Sequence, residues 1–160
     1  MTNENDGIKF GVISREQARQ LSGIELFEGI IRGDFPAPPI AEGFNYSLAE
    51  IAPGRAVFCG EPTAKHYNPS GVVHGGYIAT LLDSAMACAV HAGLPAGKGC
   101  TSLEFKINFV RPIFENTGKI SAEGIAIAVG KQIATAEGKL TDSNGKLLAF
   151  GTTTLMILDL

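Results

Sequence analysis

The sequence is poor in the features that mark several common classes of protein. Only 18% of its 160 residues are charged, and the formal net charge is -3. No cluster of Lys and Arg is interleaved with aromatic residues, so nucleic acid is not expected as a partner. Residues 1–10 are polar, and no uninterrupted apolar run is long enough to cross a bilayer. We therefore predict a cytoplasmic protein that has no membrane partner.

Recognisable cofactor and metal motifs are also missing. The chain has neither a phosphate-binding P-loop nor a dinucleotide fingerprint, and none of its histidines is spaced with acids as metal ligands are. We predict His66 and His91 to be structural. The odd number of cysteines and their apolar surroundings favour free, buried thiols over disulfides; they are Cys59, Cys88 and Cys100. We expect neither a cofactor nor a metal.

One segment stands out as an apolar helix that carries a single acid. Residues 77–92 are almost all Ala, Leu, Ile, Met, Val and Cys, which predicts a helix buried on most of its circumference. Asp83 lies within it. An ionised carboxylate in such surroundings is costly unless it is paired or hydrogen-bonded, and Thr80 or Ser84 is a candidate partner.

Two glycines open this helix. Gly75 and Gly76 leave the first backbone N–H groups uncovered by side chains, so an oxygen that gains negative charge can approach them. Each feature also has a plainer explanation, since Gly-Gly is usually turn chemistry and a lone His or Asp is often structural. The combination of Asn68, His74, Gly75 and Asp83 in this order favours an active site.

These residues belong to a wider pattern that resembles a known family. Tyr67-Asn68-Pro69, Val73-His74-Gly75-Gly76 and Leu82-Asp83-Ser84-Ala85 resemble the hotdog-fold acyl-CoA thioesterases of the phenylacetate-pathway, or PaaI-like, type. The similarity continues through residues 101–112 and covers roughly residues 44–158. It implies a hotdog fold and hydrolysis of acyl-CoA.

The resemblance also implies roles for individual residues. Asp83 would act as general base or nucleophile, the Gly75 N–H would hold the thioester carbonyl with help from Asn68, and Ser102 would orient water. His74 is expected to brace the loop or the leaving group. Five further residues are predicted to contact the substrate: Gly76, Ser84, Thr101, Arg111 and Lys131. Arg111, Lys131 and Lys106 are candidates for binding the phosphates of CoA.

Capping, turn and proline signals along the chain predict an α+β fold in two parts. Residues 1–43 would form an N-terminal extension with two capping boxes, which predict helices Arg15–Leu21 and Gly23–Arg32, and an extended Pro-rich connector over residues 34–40. These helices are interpreted either as a lid or as padding on the outside of the sheet. Residues 44–160 would form a curved antiparallel sheet wrapped around the long helix. The predicted strands are 45–52, 55–61, 101–110, 118–129, 132–141 and 146–158.

Alternation along the strand after the helix predicts the side on which each residue lies. The apolar face is Leu103, Phe105, Ile107 and Phe109. Ser102 falls on the polar face with Glu104, so it would reach the site only where the strand begins near the helix, or across a subunit boundary.

Spacing along the helix predicts a shared active site. Gly75 and Asp83 are eight residues apart, or about 12 Å along a helix, too far for both to act easily on one carbonyl. Two helices antiparallel across a twofold axis would bring the two residues together. We therefore expect a homodimer or a dimer-of-dimers tetramer. A non-catalytic acyl-CoA binding domain and a hotdog hydratase or dehydratase remain alternatives, and the preferred acyl group is open.

Overall fold

The computed structural model describes residues 8–160, so residues 1–7 of the predicted extension lie outside the described residues. Helices α1 (Arg15–Gln20) and α2 (Gly23–Arg32) begin after Ser14 and Ser22, and each serine forms the predicted capping box. A third helix, α3 (Pro39–Phe44), begins inside the segment predicted to be an extended connector. Proline is favoured at the first position of a helix, where its missing N–H costs nothing, so a Pro-rich stretch can also start one.

The rest of the chain forms one antiparallel sheet and a long helix, α4 (Gly75–Ala92). In sheet order the strands run β1-β2-β4-β5-β6-β3, so β1 and β3 are the two edges. The six strands are β1 (Tyr46–Ala52), β2 (Arg55–Gly60), β3 (Lys98–Phe109), β4 (Ile120–Val129), β5 (Ile133–Asp142) and β6 (Leu147–Asp159). None of the helices within residues 8–160 has both the length and the apolar character needed to cross a bilayer.

Small residues let α4 lie directly on the sheet. A Cβ atom at Gly124 of β4 would lie 2.2 Å from the carbonyl oxygen of Ala85, and one at Gly138 of β5 would meet Met86. Leu82 and Met86 of α4 are fully buried in the same core. Glycine is needed at this position, because any larger side chain at Gly124 would push the helix and the sheet apart.

The predicted faces of β3 are wrong at one point, because the strand contains a β-bulge. Ser102 pairs with Leu155 of β6 and Glu104 pairs with Thr154, so Leu103 is an extra residue without a partner. One inserted residue reverses the alternation. Ser102 therefore shares the face that looks towards α4 with Phe105 and the residues that alternate after it. A second bulge lies between Ala126 and Ala128 of β4.

Helix α2 docks at the end of α4 that is far from its two glycines. The Gly23 N–H donates to the carbonyl oxygen of Leu94 at 3.0 Å, and the Phe27 ring packs edge-on against His91, with centroids 5.2 Å apart. Helix α2 also packs against β1. Since the 18 residues of α4 span about 26 Å, helix α2 lies at the end of α4 remote from Gly75. Helix α3 instead ends at Phe44, whose ring stacks on Tyr77 near the start of α4, with centroids 5.9 Å apart.

Candidate active site

The start of α4 leaves one backbone donor available. His74 is the N-cap residue, and its Nδ1 atom accepts the Gly76 N–H at 2.8 Å. The Tyr77 N–H donates to the His74 carbonyl oxygen at 3.0 Å. Within residues 8–160 the Gly75 N–H has no hydrogen-bond partner. His74 thus satisfies the N–H groups of Gly76 and Tyr77. The Gly75 N–H, at the positive end of the helix dipole, stays available for a ligand.

Asn68 lies in the loop before the helix, and its own backbone turn orients it. Its Oδ1 accepts from the N–H groups of Ser70 at 2.9 Å and Val72 at 3.4 Å. The Nδ2 atom of Asn68 has no hydrogen-bond partner within the described chain. Asn68 can therefore act as a side-chain donor beside the helix start.

Asp83 is held by a serine of the edge strand. The Ser102 hydroxyl donates to Asp83 Oδ1 at 2.6 Å, and Asp83 Oδ2 has no partner within residues 8–160. The expectation that Thr80 or Ser84 would satisfy the acid is wrong. Thr80 donates instead to the Gly76 carbonyl oxygen at 2.8 Å, and Ser84 bonds to the Tyr46 hydroxyl at 3.2 Å.

The groups around Asp83 are neutral at physiological pH. Burial raises the pKa of the Tyr46 phenol and of the Cys88 thiol. Burial, with a smaller contribution from Asp83, raises the pKa of the Cys100 thiol to about 11. Since the thiolate and not the thiol is the nucleophile, neither cysteine competes with Asp83 for an electrophile. All three cysteines of the chain are free.

The helix start also contacts the edge strand. A Cβ atom at Gly75 would lie 3.1 Å from the tip of the Phe109 ring, so this ring rests against the glycine. Phe109 is 58% exposed although it lies on the face of β3 that looks towards α4. The available N–H is therefore flanked by an open apolar surface.

The predicted substrate-contacting residues are not all brought together within one chain. Gly76 and Ser84 lie on α4 near the site. Thr101 pairs with the exposed Met156 and points to the outer face of the sheet, away from α4. Arg111 follows the end of β3, and its backbone N–H donates to the carbonyl oxygen of Leu148 on β6. Lys131 precedes Gln132, whose carbonyl oxygen accepts the N–H of Ile157 on β6. Leu148 and Ile157 are nine residues apart on β6, a distance of about 30 Å along the strand. The roles of all five stay predictions.

The remaining histidines and the surface cavities lie elsewhere. His66 Nδ1 accepts from the Thr63 N–H at 2.9 Å, and burial lowers the pKa of His91 beside Phe27. A cavity of about 520 Å³ is lined by Tyr67 and residues 114–116, and neither it nor a second cavity of about 620 Å³ includes Asp83 or Gly75. No group of three or more His, Cys, Asp or Glu within residues 8–160 is placed to hold a metal ion.

Comparison with known proteins identifies the family. The model of the thioesterase superfamily matches residues 70–149, half of the chain and all of α4. The chain belongs to the thioesterase superfamily. Its sheet wrapped around a long helix confirms the predicted hotdog fold and the α+β class. Membership also makes it a thioester hydrolase.

Individual relatives within the superfamily cover most of the chain. The 1,4-dihydroxy-2-naphthoyl-CoA hydrolase of Listeria monocytogenes is 26% identical over 74% of this chain and 94% of its own length. A phenylacetic acid degradation-related protein of Ralstonia eutropha has a TM-score of 0.74 at 28% identity, covering 81% of this chain and 98% of its own. The phenylacetic acid degradation protein PaaI of Thermus thermophilus has a TM-score of 0.66 at 29% identity, covering 74% and 97%. The resemblance read from the motifs is confirmed.

Some contacts of the site carried no signal in the sequence. The bond between Tyr46 and Ser84 joins residues 38 positions apart, and the contact between Gly75 and Phe109 joins residues in different elements. Both depend on how β1 and β3 curve around α4. A hairpin or a capping box can be recognised from local spacing, but these pairs cannot.

Proposed function

We propose that the protein hydrolyses acyl-CoA thioesters, with Asp83 activating water and the Gly75 N–H stabilising the oxyanion. The observation that carries this proposal is the Ser102–Asp83 hydrogen bond of 2.6 Å, which leaves the second carboxylate oxygen available. A CoA substrate is supported by the relative named as a CoA hydrolase and by those linked by name to phenylacetic acid degradation.

In this mechanism each available group has one task. The Ser102 hydroxyl donates its only proton in the hydrogen bond to Asp83, so the Ser102 oxygen can accept a hydrogen bond from the attacking water. Asp83 Oδ2 takes a proton from that water while the water oxygen adds to the thioester carbon. The negative charge that develops on the carbonyl oxygen is held by the Gly75 N–H and by Asn68 Nδ2. The C–S bond then breaks, and the sulfur of CoA receives the proton from Asp83.

We further propose that each site is shared between two copies of the chain. Strand β3 pairs only with β6, so its other edge is open within the described chain, and Leu103 and Phe105 on it are 53% and 45% exposed. A long edge strand with exposed apolar side chains normally has a partner. If two copies meet at this edge across a twofold axis, their β3 strands run antiparallel. The Ser102 end of one β3 strand then lies near the Phe109 end of the other. Asp83 of one chain would then face the Gly75 N–H of its partner.

The exposed rings of Phe105 and Phe109 support a preference for aromatic acyl groups. Both lie on the face of β3 that looks towards α4, and Phe109 flanks the proposed oxyanion donor. An acyl ring held beside the thioester carbonyl would pack against them edge-on or offset. We therefore expect aroyl-CoA and arylacetyl-CoA to have higher kcat/KM values than straight-chain acyl-CoA.

The first test measures release of free CoA from a panel of aromatic and aliphatic acyl-CoAs. The wild-type protein should release CoA, and Asp83→Asn should lower kcat by at least about 10²-fold because the base is lost while the shape is kept. Substrate binding should persist in the variant. Binding by the wild-type protein without CoA release would favour a non-catalytic ligand-binding domain, and near wild-type turnover by Asp83→Asn would remove Asp83 from the mechanism.

Subunit mixing tests the shared site. Asp83→Ala and Gly75→Pro homodimers should each be inactive, but every mixed dimer should contain one intact site, made of Asp83 from one chain and Gly75 from the other. After unfolding and refolding together at equal concentrations, half of the dimers are mixed, so about a quarter of the wild-type activity should return. If each chain carried its own complete site, mixing would restore nothing.

A further inference from the structure

Thr153 of β6 is a buried hydroxyl in the apolar interior. Its side chain is 2% exposed, and apart from the tyrosines it is the one polar side chain buried within residues 8–160. A buried hydroxyl costs free energy unless it is hydrogen-bonded, and valine would fill the same space without that cost. We therefore expect this hydroxyl to make a hydrogen bond that a methyl group could not make.

The partner of this hydroxyl is the backbone of β3 at its bulge. Thr153 donates to the carbonyl oxygen of Glu104 at 2.6 Å. Glu104 is the first residue that returns to the ladder after the unpaired Leu103. Because a bulge disrupts the ladder locally, its backbone groups need partners from elsewhere. The Thr153 hydroxyl supplies one from the neighbouring strand.

This bulge decides where Ser102 points. In a regular strand, residues three apart lie on opposite faces, so Ser102 and Phe105 could not both look towards α4. The extra residue at Leu103 puts both on that face, and Ser102 then reaches Asp83 at 2.6 Å. A shift of the bulge by one residue towards the N-terminus would make Ser102 itself the unpaired residue and turn its hydroxyl away from the carboxylate.

We propose that Thr153 is a positioning residue, which acts on the reaction by fixing the β3 bulge and thereby holding Ser102 on Asp83. It touches neither the water nor the thioester, and it works through the Glu104 carbonyl and Ser102. This inference rests on the proposed function, since it assigns Thr153 a part in the same hydrolysis. It predicts an effect on turnover rather than on substrate binding, because Ser102 serves the attacking water.

The test compares variants that remove or keep the hydroxyl, with aromatic acyl-CoA as substrate. Thr153→Val, which has nearly the same shape, should lower kcat about tenfold to a hundredfold and change KM less than about threefold. Thr153→Ser should stay within about threefold of wild-type kcat. Thr152→Val, an exposed neighbour on the other face of β6, is the matched control and should behave as wild type.

A double-mutant cycle separates positioning from plain destabilisation. If Thr153 acts through Ser102, Thr153→Val should cause little further loss in a Ser102→Ala background, whereas independent effects would multiply. Thermal unfolding shows which proteins are folded at the assay temperature, and Thr153→Ala replaces Thr153→Val if the latter does not fold.

Three results would overturn the inference. The variants without the hydroxyl could keep wild-type kcat, Thr153→Ser could lose as much kcat as Thr153→Val, or the kcat losses of Thr153→Val and Ser102→Ala could multiply fully in the double variant. Failure of the proposed function would be seen differently: either the wild-type protein would release no CoA, or Asp83→Asn and Ser102→Ala would keep wild-type turnover. Loss in those two variants with no loss in Thr153→Val would refute the role of Thr153 alone.

Discussion

At the scale of single residues, the two glycines at the start of α4 serve different purposes. The Gly76 N–H is occupied by the His74 ring, whereas the Gly75 N–H has no partner in the described chain. The N-cap thus determines which amide stays available for a ligand. His74 φ is -62° and ψ is 138°, an extended conformation that is compatible with a proline at the next position.

This geometry allows the proposed oxyanion donor to be deleted without breaking the helix. Proline is tolerated at the first helical position, so Gly75→Pro should fold but lose the N–H, with kcat falling about 10²- to 10³-fold. Gly75→Ala is the matched control, because it adds the same Cβ atom beside Phe109 and keeps the donor. Its kcat should stay within about threefold of wild type, since the exposed Phe109 ring can move aside. Steady-state kinetics and circular dichroism on both variants decide the point, and a fully active Gly75→Pro would exclude the amide from the mechanism.

At the scale of elements, local spacing predicted helices and strands well. The serines and their partners three residues later marked the starts of α1 and α2, and an apolar run with two leading glycines marked α4. What the sequence did not reveal is the bulge in β3, because Leu103 fits a regular apolar alternation with Phe105. The side on which Ser102 lies is set by pairing with β6, about 50 residues later in the chain, and no short pattern reports such a contact.

The attachment of α2 to α4 depends on another glycine. A Cβ atom at Gly23 would lie 1.7 Å from the carbonyl oxygen of His91, a backbone atom that cannot turn aside. Gly23→Ala should therefore force the two helices apart and lower the free energy of unfolding by roughly 1–3 kcal/mol. Because α2 docks far from Gly75, kcat of the folded fraction should change less than about twofold.

A second glycine provides the control for this prediction. Gly43 lies in α3, and a Cβ atom there would meet nothing within 4 Å. Gly43→Ala should be neutral or raise the free energy of unfolding by roughly 0.4–1 kcal/mol, because alanine restricts the unfolded chain. Urea denaturation of both variants checks the pair, and equal stability of Gly23→Ala and Gly43→Ala would show that the helix contact is not tight in solution.

At the scale of the whole molecule, the open edge of β3 constrains how two copies can meet. We take both α4 helices to lie on the same side of a continuous sheet. A β3 residue that faces α4 in one copy must then pair with a β3 residue that faces α4 in the other copy. An axis at Phe105 places Glu104 opposite Lys106 of the partner subunit, whereas an axis at Lys106 places two lysines against each other. Neither Glu104 nor Lys106 forms an ion pair within residues 8–160. Opposite charges across strands are favoured, so we infer the axis at Phe105.

Charge reversal tests this register. With the axis at Phe105, Glu104→Lys faces Lys106 of the partner subunit twice in each dimer, and the dimer dissociation constant should rise about tenfold. Lys106→Glu should weaken the dimer similarly, and the double variant Glu104→Lys/Lys106→Glu should restore it because the charges are only exchanged. Sedimentation at low salt measures the constants, and high salt should shrink every difference. If neither single variant changed the dimer dissociation constant, or if the double variant formed a weaker dimer than either single variant, the axis would lie elsewhere. Activity that falls and returns in step with dimerisation would link this edge to the shared site.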